Sequence, residues 1–113
     1  GGFVKIAVGT GDSGEGGHVT VDAGTTTDTQ TGGYMRVSTG YSSETSSGPC
    51  LVQTPNAGAL GVSGEMTLTT GTTSHGNSGA VILETGYAFN GHGGDVLARV
   101  GTGVSDDGGD VLV

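Results

Sequence analysis

Three histidines, His18, His75 and His92, are the side chains here best suited to hold a metal or move a proton near neutral pH. Structural zinc needs a closely spaced set of Cys and His ligands, and no such spacing occurs. His18 falls at the first outward position of a strand, and His75 and His92 in different columns of the polar half, so all three read as solvated surface groups. Asp12, Glu15, Asp95, Asp106, Asp107 and Asp110 offer oxygens of the kind calcium takes. Structural calcium at Gly-rich turns is weighed on that basis. However, no acid position recurs in every repeat: Asp95 and Asp110 align with Ala80, Glu65 and Pro49. The expectation is no cofactor and no metal.

Nucleophiles fare no better. Cys50 is the sole cysteine, follows Pro49 and falls at an apolar repeat position, so a buried, inert thiol is expected. Ser63 in Gly61-Val62-Ser63-Gly64 is a turn serine without the strand–helix elbow that a nucleophilic serine needs. The Gly-rich stretches lack the Gly-x-x-x-x-Gly-Lys spacing and following helix that cradle phosphate. No catalytic residue emerges, and the chain does not read as an enzyme.

Threonine could serve a different chemistry, because flat outward Thr-x-Thr ranks bind ice. The outward pairs give only one such rung, Thr67/Thr69. Thr10, Thr25, Thr72 and Thr102 share a position with Tyr41, Asn56 and Tyr87, which break the rank. Thr39, Thr54, Thr70 and Thr85 read as inward or corner-facing, their hydroxyls stacked to bond along an axis. An ice- or glycan-binding face is the alternative to the reading that follows.

The element that must position all these residues is a repeat. Gly-Gly-x-φ-x-φ-x-(Thr/Ala/Val)-Gly, φ being apolar, occurs at 16–24, 32–40 and 93–101, and related units recur every 15 or 16 residues. A short fixed period means one unit stacked on copies of itself. The units are 9–23, 24–39, 40–54, 55–70, 71–85 and 86–100, with partial ones at 1–8 and 101–113. Each has a small, polar first half and a second half of alternating apolar residues, which is a strand signal. No stretch has helical periodicity.

Aligned units form columns. One reads Val4, Val19, Met35, Cys50, Met66, Val81, Val96, Val111, and the next Ile6, Val21, Val37, Val52, Leu68, Leu83, Ala98, Val113. Both are wholly apolar and are expected to face inward. Gly11, Thr26, Ser42, Ala57, Thr73, Ala88 and Gly103 form a uniformly small opposing wall. The predicted fold class is all-β: a narrow β-solenoid of 15–16 residues per coil, two short strands per coil and about 7–8 rungs. Residues 1–113 form one such repeat domain in this reading.

Two further expectations follow. The chain starts and stops in strand-like segments without a polar cap, so Val4, Ile6, Val8, Val111 and Val113 are expected to sit at ends that stack on further repeats or further copies. In addition, Leu51, Ile82, Leu97 and Leu112 occupy one outward column, which predicts lateral packing.

Composition sets the remaining bounds. Glycine fills 26 positions, apolar residues make up 32%, and the net charge is −8 with only three Lys and Arg, which disfavours nucleic acid. No apolar run is long enough for a membrane span. The Gly-Gly-x-Val-x-Val-x-Thr-Gly wording of residues 16–24, 32–40 and 93–101 resembles the Gly/Thr/Ser-rich repeats of long secreted surface, adhesive or fibre proteins of microbes and algae. That resemblance covers the whole chain and implies an extracellular or cell-surface structural role. The expected function is a filament, fibre, surface layer or adhesive matrix built by axial β-stacking and lateral packing. The expected partners are copies of the same chain, without nucleic acid and without membrane insertion.

Overall fold

The computed structural model describes residues 1–105 and 107–113. Among them there is neither a helix nor a strand. The chain divides into two units, Gly1–Val52 and Gln53–Val113.

The period survives in another form. The backbone bends at residues 12–14, 27–30, 43–45, 59–61, 74–76, 89–91 and 104–105, always within the polar half of a repeat. Local chemistry accounts for three of these bends. Thr26 Oγ1 accepts from the Asp28 N–H at 3.1 Å, Ser42 Oγ from the Glu44 N–H at 3.2 Å, and Thr73 Oγ1 from the His75 N–H at 3.3 Å. Each is a hydroxyl bonding to the backbone two residues on, a common way for Ser and Thr to set a turn. Ser42 Oγ also accepts from the Thr45 N–H at 3.1 Å, and the Thr73 hydroxyl donates to the His75 carbonyl at 2.8 Å. Where the bend needs a left-handed residue, glycine supplies it: Gly14 has φ 80° and Gly76 φ 92°. Thr26, Ser42 and Thr73 belong to the column predicted as a small wall; the structure uses their hydroxyls as turn formers.

Each bend brings the two ends of its polar loop together. The Gly33 N–H donates to the Gly24 carbonyl, and the Gly48 N–H to the Gly40 carbonyl, both at 2.9 Å. Elsewhere the closure is a steric approach. A Cβ on Gly64, Gly79 or Gly94 would lie 3.6, 3.8 or 3.5 Å from Cγ2 of Thr54, Thr70 or Thr85 respectively, which is ordinary packing distance. At Gly17 the fit is tighter, and a Cβ there would collide with Cγ1 of Val8.

This pattern overturns the predicted β-solenoid. Stacked coils need backbone bonds between residues one repeat apart, fifteen or sixteen positions along this sequence. The bonds formed, Gly33 to Gly24 and Gly48 to Gly40, span nine and eight positions. They close loops inside a unit and leave neighbouring units without a ladder. Folded domains hold about two backbone–backbone hydrogen bonds for every three residues, whereas these two are the backbone–backbone bonds among the described residues.

The predicted inward columns are exposed as well. No described residue is buried, and only Ala88 is even half-buried. Met66, Val81 and Val96 of the first column are each 56% exposed, whereas Leu68 and Leu83 of the second are 80% and 79%. Cys50 is likewise exposed, against the buried thiol expected for it. The chain presents 11784 Å² to solvent, where a folded monomer of this length exposes about 5,600 Å².

Candidate functional site

What the fold leaves available is a set of apolar segments strung between closed loops. Leu51, in the first unit, is 77% exposed; Ile82, Leu97 and Leu112, in the second, are 76%, 58% and 97% exposed. All four lie outside the bends. Without strands, no ladder registers them as one stripe, so their column stays a property of the sequence. Val4, Ile6, Val111 and Val113 are open to solvent. Val8 differs, because Gly17 sits against it at a loop mouth.

The threonines expected to stack along an axis do something else. Thr54, Thr70 and Thr85 turn their methyl groups toward the closing glycines Gly64, Gly79 and Gly94. No hydrogen bond joins Thr39, Thr54, Thr70 and Thr85 to one another among the described residues. Their position is therefore the junction between the apolar segment and the loop that follows.

One contact escaped the sequence reading. Tyr87 and Phe89 pack edge to face, with centroids 5.1 Å apart and ring planes at 87°. Ala88 lies between them in the chain and is the one half-buried residue among those described. Two aromatics flanking a small residue where the chain enters the 89–91 bend are the signal for it in the sequence. In the repeat alignment Tyr87 reads only as an interruption of a threonine rank, which conceals the pair.

Among the described residues the polar groups assemble no site. Among the described residues no three His, Cys, Asp or Glu side chains gather to hold a metal, and no cavity opens between them. His75 Nδ1 lies 3.3 Å from Ser74 Oγ within its own bend. Of the acids weighed for calcium, Asp106 lies outside the described residues. Glu65 is occupied locally, its Oε1 accepting from the Thr67 hydroxyl at 2.7 Å. Among the described residues no helix is long and apolar enough to cross a membrane.

What this geometry offers is exposed apolar surface. Each exposed Val, Ile, Leu or Met contributes on the order of 1.5–3 kcal/mol when fully removed from water. No family model, curated protein or solved structure matches the chain.

Proposed function

We propose that this chain is a structural repeat protein that works by associating with copies of itself in an extracellular or cell-surface material. The observation that carries the reading is the exposure of the apolar residues in every repeat. Ile6, Val21, Val37, Val52, Leu68, Leu83 and Val113 are each at least 70% exposed. Apolar surface of this extent is a site of association, because a lone chain gains nothing by keeping it in water. A standard protein interface buries about 1,600 Å² in total. The area this chain exposes exceeds that of a compact monomer by several times that amount.

Repetition favours a copy of the chain as partner. A surface with the same apolar spacing every 15 or 16 residues is matched along its length by another chain of the same spacing. The polar loops between these segments keep the assembly wettable, and the net charge of −8 limits indiscriminate aggregation. The extracellular assignment rests on the resemblance of residues 16–24, 32–40 and 93–101 to secreted repeat proteins.

Electron microscopy of the purified chain and of the native material tests this reading. Extended or sheet-like assemblies are expected in both. Dispersed particles of single-chain size in both would contradict it.

A further inference from the structure

The apolar segments are not equal candidates for holding copies together. Leu51 follows Pro49, which lacks an N–H and sits poorly in a paired strand. Leu97 lies between Asp95 and Arg99, and Leu112 follows Asp110 by two residues. Residues 79–86, Gly-Ala-Val-Ile-Leu-Glu-Thr-Gly, differ from all three. They contain four consecutive apolar residues, one charge, no proline and a glycine at each end. Short segments of high β-propensity and low charge without proline are those that pair between chains.

The structure leaves this segment open. Val81, Ile82 and Leu83 are 56%, 76% and 79% exposed. No backbone–backbone hydrogen bond involves residues 79–86, and none of them lies in a bend. Loop mouths bracket it: Gly79 packs by Thr70 on one side, and Thr85 by Gly94 on the other. The segment therefore offers both apolar side chains and unpaired N–H and C=O groups, which is the equipment of an edge that recruits another strand.

Resting on the self-association proposed above, we infer that residues 79–86 pair with the same segment of a second copy as antiparallel strands. The chain thus gains β-structure between molecules that it lacks within one. The sequence of the segment sets the direction. Antiparallel pairing about Ile82 places Ile82 opposite Ile82, Val81 opposite Leu83, and Glu84 opposite Ala80. Parallel in-register pairing would set Glu84 beside Glu84, and like charges directly opposite are unfavourable. The antiparallel arrangement is two-fold symmetric, as an interface between identical partners is in a closed dimer.

The test is a concentration series on the intact chain, sized by light scattering after gel filtration, with amide I infrared spectra of each fraction. The expected result is association accompanied by an antiparallel strand signature. Ile82→Lys should raise the half-association concentration roughly tenfold or more, as expected for losing one buried Ile. Ile82→Pro should abolish the strand signature. Val62→Lys should change neither, because Val62 is exposed but lies just past the 59–61 bend. Association without any gain of strand signal, or with a parallel signature, would overturn this inference and leave self-association standing. A chain that stays monomeric throughout would overturn both. Equal effects of Ile82→Lys and Val62→Lys would show that pairing is not located at this segment.

Discussion

The Gly33 N–H donates to the Gly24 carbonyl at 2.9 Å, closing a loop around the bend at 27–30. The same fold-back recurs at Gly48 and Gly40. Loops of this kind, short and with their ends in contact, are self-contained units that need no neighbouring repeat. Both bonds lie inside single repeats, and the apolar segments between the loops stay exposed.

The closure at Gly33 is testable by adding one methyl group. A Cβ on Gly33 would sit 3.2 Å from the Gly24 nitrogen and 3.4 Å from its carbonyl oxygen. Gly33→Ala should weaken the bond, at a cost of about 1 kcal/mol or less. In NMR the amide of residue 33 should lose its reduced temperature dependence. Gly86→Ala, with nothing within 4 Å of the new methyl, should leave its loop unchanged.

The hydroxyl-set bends make a second prediction. Ser42 Oγ accepts from both Glu44 and Thr45, so Ser42→Ala removes two bonds at once. Amide shifts at 44 and 45 should move toward unstructured values, while those around Thr73 and His75 stay fixed. Ser42→Thr should restore them. Exposure keeps the energetic effect small, on the order of 0.5 kcal/mol per bond.

The aromatic pair makes a third. With the ring of Phe89 edge to face with Tyr87, Phe89→Ala should remove the ring-current shift on the Tyr87 protons. Edge-to-face pairs contribute about 0.5–1.5 kcal/mol, and solvent exposure of both rings places this one at the low end. Unmoved Tyr87 resonances would show that the two rings do not meet.

Charge governs a fourth. With a net charge of −8 at pH 7 and an isoelectric point of about 4.3, copies repel one another at neutral pH. Lowering the pH toward the isoelectric point should promote association, and added salt at pH 7 should do the same by screening. Light scattering across pH and ionic strength reads both. Salt-induced dissociation would instead point to ion pairs as the adhesive contact.

Particular residues show what the sequence made legible. The period was plain from the glycine spacing, and the structure expresses it as bends at 12–14, 27–30, 43–45, 59–61, 74–76, 89–91 and 104–105. Thr26, Ser42 and Thr73 were visible as a column, but their small size suggested wall packing when their hydroxyls were the operative feature. The β-solenoid was not legible correctly, for a physical reason. Alternation such as Val81, Leu83 and Val96, Ala98 says that one face of a segment suits an apolar neighbour. It does not say whether that neighbour is the next repeat of the same chain. Loop closure at Gly24–Gly33 and Gly40–Gly48 competes locally for the backbone groups that a stacked coil would use. The Cys50 error has the same origin, since an apolar column was equated with a buried one.

Sedimentation equilibrium of the intact chain tests the central claim most directly. The account predicts a weight-average mass that rises with concentration above the single-chain value of 10.9 kDa, and rises more steeply with added salt. A mass that stays at that value across the full concentration range, in low and high salt alike, would contradict it.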